Sequence, residues 1–301
     1  MNVSEPDWAY VTRSLVKVVA VASALFLALV VADRVLWVFV GFDDERTALV
    51  YGTAARVVNP DKRLTYGYSD GGGQLGTTYT LRGEPRRAGP GEDRKEYEIT
   101  EDLFGAVRAP SFDGPSGSLA DTVDSVGWEE LGADRQLTEE ARKAIDALPQ
   151  TLRAVAVLEF THSMTTEQLV AFNRRHELCG GGDVSYIYSP YYYDDSSGDP
   201  PLSAVVWNRG MPKEPWEDFT YECVTEPEAA LAEFRRWVGL LRSGDDLEEF
   251  GLSHGSLTET AKEGVVYGLV IDGWTLADLR KLLDDPEVRT VNLTDVAFDL
   301  G

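Results

Sequence analysis

Two cysteines and three histidines are the residues from which a metal site or a thiol chemistry would be built. Cys179 and Cys223 are the only cysteines in 301 residues, and His176 lies three positions before the first of them. A zinc site needs three or four ligands, and neither His162 nor His254 lies in a metal-binding motif. In an exported chain a pair of cysteines favours one disulfide. Closing a loop of about 45 residues would stabilise the fold by about 4 kcal/mol. We therefore predict a Cys179–Cys223 disulfide, with a zinc site as the weaker alternative.

An aromatic segment is the second place where the residue types suggest a site. Three consecutive tyrosines, Tyr191, Tyr192 and Tyr193, follow a strand-like stretch, and Trp207 lies in the next one. Aromatic side chains around an acidic loop would suit a groove that binds a glycan or a peptide, so these four residues form a candidate ligand groove. The alternative is that alternate tyrosines face the core. The acidic loop 194–199 lacks the ligand spacing of a calcium-binding EF-hand, which favours a solvated loop.

Few sequence motifs of catalysis are present. The pattern G-x-S-x-G occurs at Gly251-Leu-Ser-His-Gly255, but it follows a predicted helix and not the strand that a nucleophile elbow requires. No segment matches the zinc motif H-E-x-x-H or a phosphate-binding Walker loop. Glu159 and Asp272 each follow apolar strand residues and are a candidate carboxylate pair for acid–base work. Charges at strand ends are the simpler interpretation of both. We therefore predict a protein that is not an enzyme, with no catalytic residue, cofactor or metal.

The first element that would position these residues is an N-terminal anchor. The 28-residue stretch 15–42 carries three charged residues, and 18–32 carries none. About 20 apolar residues suffice to cross about 30 Å of hydrocarbon, so residues 15–41 are predicted to form a transmembrane helix. Arg13 and Lys17, close to its N-terminal end, favour a cytoplasmic tail of residues 1–14 and an extracytoplasmic remainder. The expected location is the cell membrane, with a single pass.

A cleaved signal peptide is the alternative interpretation of the same stretch. Val30-Val-Ala32 would be an acceptable cleavage site. The apolar run nevertheless resumes at Val35 and continues to Val40, where a mature N-terminus would expose it to water. We therefore favour an uncleaved anchor, and either interpretation exports the rest of the chain.

The exported part carries the whole net charge of −23, because the charges before Phe42 cancel. Such a surface repels phosphate backbones, which argues against a nucleic-acid partner. The simplest consequence of the charge is solubility.

Two regions of regular structure are predicted after the anchor. A helix at 43–58 and short strands at 63–68, 76–82 and 96–100 form a membrane-proximal β-rich region, 42–108. A stretch rich in Pro, Gly and Ser, 109–117, is the predicted boundary. Residues 118–301 then form the exported domain. Its predicted elements are helices at 118–148, interrupted near Gly132, and at 165–176, 227–242, 256–262 and 276–283, with strands at 152–160, 183–189, 203–208, 265–272 and 288–298.

A weak internal similarity indicates how these elements assemble. In both 155–169 and 266–279 an apolar strand precedes a helix that opens with Thr, and a further strand follows. Two βαβ-like halves on one sheet predict an α+β sandwich with helices on one face. Generic strand–helix patterning explains the similarity equally well.

The strand and turn patterns resemble those of bacterial sigma factor regulators. The segment Leu148-Pro-Gln-Thr-Leu-Arg-Ala-Val-Ala-Val-Leu-Glu-Phe160 resembles the "LP-x-x-x-x-A-x-x-x-x-S-F" opening of that family's C-terminal domain. The segment Val266-Tyr-Gly-Leu-Val-Ile-Asp-Gly-Trp-Thr-Leu-Ala-Asp-Leu279 resembles its "Y-G-x-V-V-x-G-x-T-x-E-L" segment. Val58-Asn-Pro-Asp61, with the Gly-rich turn and Thr-rich strand after it, is similar to the region beyond the family's transmembrane helix.

This resemblance implies a membrane-bound anti-sigma factor or a relative of one. Such proteins hold a sigma factor at the membrane through a cytoplasmic segment. Here only residues 1–14 precede the anchor, and they contain no His–Cys zinc motif. Such a tail is far too short to enclose a sigma factor, so a second membrane protein is an expected partner beside the sigma factor that the resemblance implies. The expected function is sensing or regulation by protein contacts, and the alternative is an exported module that binds a glycan or a peptide.

Overall fold

One long apolar helix opens the structure. The computed structural model describes residues 8–40, 44–69, 76–89, 94–102, 104–110, 112, 118–127, 132–178, 183–192, 201–208 and 226–298. Helix α1 spans Trp8–Val40, and within it the window Ala9–Ala32 is long and apolar enough to cross a membrane. No part of that window is buried against the rest of the protein.

A second helical segment starts four residues after α1 ends, and it is buried. It runs through α2 (Asp44–Thr47), a π-helical turn (Ala48–Gly52) and α3 (Thr53–Val58). Six consecutive residues from Val50 to Ala55 are buried, and Tyr51 stacks on Phe250 with ring centroids 6.2 Å apart. The amide of Asn59 closes the segment by donating to the carbonyl oxygen of Ala55 at 2.7 Å. The predicted helix at 43–58 is therefore present and forms part of the core.

The region predicted to be β-rich, 42–108, contains a four-stranded antiparallel sheet. Its strands β1 (Lys62–Ser69), β2 (Gly76–Pro85), β3 (Lys95–Asp102) and β4 (Val107–Arg108) lie in chain order. Along β3 the buried positions alternate, with Tyr97 and Ile99 inward. This alternation is the pattern of a sheet with one covered face. The three strands predicted in this region are confirmed.

The C-terminal region contains a five-stranded sheet in which every neighbouring pair is antiparallel. Its strands are β5 (Arg153–Met164), β6 (Asp183–Ser189), β7 (Val205–Asn208), β8 (Val266–Thr275) and β9 (Val288–Ala297). The spatial order is β7-β6-β8-β5-β9. Gly268 allows close pairing at the centre, because a Cβ there would lie 2.4 Å from the carbonyl oxygen of Leu158.

The order of these strands explains the internal similarity. The unit formed by β5, α6 (Thr166–His176) and β6 has β8 inserted between its two strands. The unit formed by β8, α9 (Leu276–Leu282) and β9 has β5 inserted between its own. The two predicted βαβ-like halves are therefore interleaved split units. Both helices open with a Thr cap: Thr165 forms the predicted capping box with Gln168, and Thr275 accepts from the amide of Asp278.

Helices cover both faces of the large sheet. The remaining ones are α4 (Ser118–Asp124), α5 (Arg135–Asp146), α7 (Glu226–Leu240) and α8 (His254–Glu263), with a 3-10 turn at Glu248–Phe250. The larger core is formed by one face of the sheet and the helices α5, α6, α7, α8 and α9. Leu119 and Val123 of α4 pack on the other face against Val155, Val157 and Val270. The α+β class is confirmed, whereas the expectation of helices on one face alone is wrong, because the apolar face of α4 covers the second one.

The two sheets share one continuous core. Buried residues of the small sheet, of the segment 44–58 and of the helices on the large sheet form a single apolar cluster. Direct contacts include Trp237 Nε1 donating to the carbonyl oxygen of Val50 at 3.4 Å, and Arg46 binding both carboxylate oxygens of Asp245 at 2.7 Å. Most of the predicted boundary 109–117 lies outside the described residues.

Candidate functional site

The residues singled out in the sequence do not meet in one place. Cys179, Cys223 and Tyr193 lie outside the described residues, as does the acidic loop 194–199. Tyr191 is half-buried, and Tyr192 is 58% exposed, where its backbone pairs with Leu202. The described part of the chain contains no group of three or more His, Cys, Asp and Glu side chains that could hold a metal ion.

Trp207 lies in the core and not at a surface groove. It is 2% exposed, and its ring contacts Phe234 and Trp237 with centroids 5.4 and 5.8 Å apart. Tyr186 and Tyr188 are also buried, and Tyr188 stacks on Phe234 at 4.9 Å. Alternate aromatic residues of β6 and β7 therefore face the helices, as the second interpretation of the segment expects. Of the candidate groove, Tyr192 alone presents a mostly exposed side chain in the described structure.

Glu159 and Asp272 are buried and lie apart. Glu159 pairs with Arg289 at 2.9 Å and accepts from the amide of Gly127 at 3.2 Å. Asp272 accepts from Arg63 and lies opposite Val155, four residues along β5 from Glu159. That spacing separates the two backbone positions by about 13 Å along the strands. The two carboxylates are neither an acid–base pair nor exposed strand-end charges, and each is neutralised by its own arginine.

A cleft between the two sheets is where charged side chains converge. We call it the inter-sheet cleft; it has a volume of about 200 Å³. The small sheet and the helix before it contribute four cationic side chains, whereas β6 and β7 contribute polar and acidic ones. The described lining residues are Arg56, Pro60, Lys62, Arg63, Leu64, Thr65, Arg86, Asp183, Ser185, Val206 and Asn208.

Two of the four cations are matched by close carboxylates. Lys62 donates to Asp61 at 2.8 Å and to the carbonyl oxygen of Phe112 at 3.2 Å. The Nε atom of Arg63 donates to Asp272 at 3.2 Å, and a second nitrogen of the same guanidinium also binds that carboxylate. Burial alone would lower the pKa of Arg63, but its hydrogen bond to Asp272 and the nearby carboxylate charges raise it above its usual value.

Arg86 is a buried cation with weak partners in the described part of the chain. Its side chain is 5% exposed. It donates one long hydrogen bond, from Nη1 to Ser185 Oγ at 3.4 Å, and its nearest carboxylate, on Asp183, lies 3.9 Å away. Its buried Nε has no hydrogen-bond partner in the described part of the chain. A buried donor left without a partner costs about 1–3 kcal/mol, and more on a charged group.

The electrostatics of Arg86 agree with this geometry. Burial lowers the pKa of its guanidinium, and the charge of Arg63 acts in the same direction, against the opposing charges of Asp183 and Asp272. Asp183 is itself engaged, because its Oδ2 accepts from Asn208 Nδ2 at 2.7 Å. The cleft therefore holds an arginine fork whose donors are largely unused, and the chemistry it offers is the binding of an anion.

The sequence contained a partial indication of this cleft, in the positions of its charged residues. Arg56, Lys62, Arg63 and Arg86 are basic residues within 31 positions of a strongly acidic chain, and Asp272 is a lone charge in an apolar strand. The pairing of the two groups depends on how the sheets meet, which local patterns do not report. No protein-family model, curated protein or solved structure matches this chain.

A further anchoring contact lies where the buried segment begins. The Nη2 atom of Arg46 donates to both carboxylate oxygens of Asp245, and Thr47 Oγ1 donates to Glu101 Oε2 at 2.8 Å. The amide of Val107 donates to Asp246 at 3.3 Å. These bonds join the end of α2 to β3 and to the loop after α7, and they join that loop to β4. They hold the point at which the chain enters the shared core.

Proposed function

We propose that this protein is a single-pass membrane protein whose exported α+β domain senses or regulates through protein contacts, as a sigma factor regulator does. The observation that carries the proposal is the short passage from an exposed apolar helix to a buried one. Helix α1 ends at Val40, and α2 starts at Asp44. Val50, ten residues after the end of α1, already lies inside the core shared by both sheets. A domain joined so closely to its anchor is suited to passing a change of conformation to it.

The same passage favours an uncleaved anchor over a signal peptide. Cleavage after Ala32 would leave residues 33–40 as an apolar N-terminal extension of the exported domain. Nothing in the described structure covers α1, whose window Ala9–Ala32 is unburied. Its apolar surface is stable in hydrocarbon and costly in water. The proposed orientation, with residues 1–14 in the cytoplasm, depends on the basic residues before the span.

The resemblance to sigma factor regulators supplies the proposed partner class. The tail of residues 1–14 would contact a sigma factor or a second membrane protein. The alternative of a glycan- or peptide-binding module has less support, because Trp207 of its candidate groove is buried in the core.

Extraction of membranes tests the anchor. Full-length protein should stay with the membrane after an alkaline carbonate wash, and its intact mass should include the N-terminal residues. Release into the wash, or a mass that corresponds to a start near Asp33, would overturn the anchor.

Crosslinking tests the regulatory role. Full-length protein is crosslinked in membranes and compared with a form that lacks Met1–Thr12. We expect a sigma factor or a membrane protein to be captured by the full-length form alone. If both forms capture the same envelope components, or neither captures any protein, cytoplasmic regulation is wrong.

A further inference from the structure

We infer that the inter-sheet cleft is a binding site for a small carboxylate, with the Arg86 guanidinium as its main donor. The inference goes beyond the proposed function, since it holds whether or not the anchor is retained and whichever partner the tail contacts. It concerns the cleft between β1, the end of β2, β6 and β7.

The first support is the state of Arg86. A guanidinium has five N–H donors in a planar fork that matches the two oxygens of a carboxylate. Arg86 uses one of these donors, in a 3.4 Å bond to the neutral Ser185, and its Nε is buried without a partner among the described residues. Its backbone is held in place, because the amide donates to the carbonyl oxygen of Asp61 at 2.7 Å. The fork is therefore positioned before any ligand arrives.

The second support is the balance of charge. The cleft and its immediate partners contain Arg56, Lys62, Arg63 and Arg86 against Asp61, Asp183 and Asp272. Four cationic side chains of the described structure therefore line one cleft in a protein whose net charge is −23. The carboxylates of Asp183 and Asp272 act on the same guanidinium group of Arg86. They would repel a doubly charged phosphate more strongly than a singly charged carboxylate.

The third support is the size and polarity of the space. A volume of about 200 Å³ is enough for a small carboxylic acid or for the C-terminal residue of a peptide, and too small for a drug-sized molecule. Ser185 and Asn208 add a hydroxyl and an amide beside the guanidinium. Val206 and Leu64 provide an apolar wall for the carbon atoms of the ligand.

Thermal unfolding of the full chain in detergent tests the inference, with sodium acetate as the probe. Sodium chloride at equal ionic strength is the reference, and sodium phosphate is the second anion. For a dissociation constant on the order of 10 mM, acetate at about 100 mM would shift the folding equilibrium about 11-fold. We expect a rise in Tm of about 3–6 °C above the chloride reference, and a smaller rise with phosphate. The absence of an acetate-dependent rise would overturn the inference, and a larger rise with phosphate would overturn the choice of a carboxylate.

Two variants of Arg86 test whether the acetate-dependent rise in Tm comes from the inter-sheet cleft. Arg86→Met removes the donors, and Arg86→Lys keeps the charge without the fork. We expect the first to abolish the acetate-dependent rise and the second to lose most of it. Arg82→Met is the matched control, because Arg82 lies on the same strand but is 54% exposed and pairs with Glu96; it should keep the full rise. If Arg86→Met does not fold by circular dichroism, Arg86→Lys alone decides. A full rise in the variant that folds would show that acetate acts elsewhere.

Discussion

The small and the large sheet are built on different principles although they share one core. In β5 seven consecutive residues from Ala154 to Phe160 are buried, and β8 has a similar unbroken run. In β3 buried and exposed residues alternate. A strand covered on both faces becomes continuously apolar, whereas a strand with one wet face alternates. The large sheet carries helices on both faces, and the small sheet has one covered face.

This difference assigns the segment 44–58 a structural role. The large sheet is covered by helices that belong to its own region. The small sheet packs on Val50, Tyr51, Ala54 and Ala55, which follow α1 closely in the chain. The small sheet therefore depends for its core on the segment 44–58, and the large sheet depends on it less.

The largest expected effect is in the large sheet. Glu159→Ala leaves Arg289 buried without its main carboxylate, and breaking one side of a buried ion pair costs about 3–5 kcal/mol. Urea unfolding should show this loss. The matched control is Glu96→Ala in the small sheet, where the glutamate is 55% exposed. A loss below about 1 kcal/mol in Glu159→Ala would contradict the described pairing.

The next prediction tests whether the small sheet can unfold locally while the large sheet stays folded. Leu81→Ala in β2 removes a side chain with no exposed surface and should cost about 2–5 kcal/mol. Hydrogen exchange should show loss of protection first in β1–β3. Leu269→Ala in β8 is the matched control, with an equally buried leucine, and should weaken protection in both sheets. If Leu81→Ala lowers protection equally everywhere, the two sheets form one cooperative unit.

A smaller effect is expected at alkaline pH, at the entry point of the chain. Burial and the charges of Glu101 and Asp245 raise the pKa of Tyr51 to about 12, against a hydrogen bond with the Asp246 backbone and the charge of Arg46. Folding then favours the protonated phenol, so its contribution to stability is complete below about pH 10 and is lost as the pH rises from about 10 to about 12. Tyr51→Phe should flatten the decline in Tm over that window, and Tyr192→Phe, at an exposed position, should not. An unchanged slope in Tyr51→Phe would contradict the assignment.

The smallest effect is expected on the open face of the small sheet. Arg82 and Glu96 form an ion pair at 3.2 Å with both side chains more than half exposed. Such pairs contribute about 0–1 kcal/mol. Arg82→Gln should therefore change the midpoint of urea unfolding very little, and the change should shrink further at high salt. A loss above about 2 kcal/mol would mean that this face is covered.

Most of the elements could be predicted because their patterns are local. The capping box at Thr165 and Gln168 needs four residues, and the apolar run in β5 needs about nine. The interruption predicted near Gly132 is also local, because Asp134 caps α5 just after it by accepting from the amides of Gln136 and Leu137. The side of the sheet that α4 covers could not be predicted, since either face of a doubly apolar sheet accepts the same amphipathic helix.

The candidate site was less accessible to prediction for a physical reason. The pair of Arg63 with Asp272 joins residues 209 positions apart, and Arg86 with Ser185 joins residues 99 positions apart. Trp207 illustrates the opposite error, in which an aromatic residue suited to a groove is equally suited to a core. The face that a strand residue occupies depends on register, and register depends on the whole sheet.

The spacing between α1 and α2 limits how far the domain can travel. Val40 and Asp44 are four Cα steps apart, which is at most about 15 Å when fully extended. With α1 as the proposed membrane anchor, this connection would keep the start of the domain within about 15 Å of the end of the helix. The domain would then meet other membrane proteins by diffusion in the plane of the bilayer, and a dissolved partner would have to come close to the bilayer to reach it.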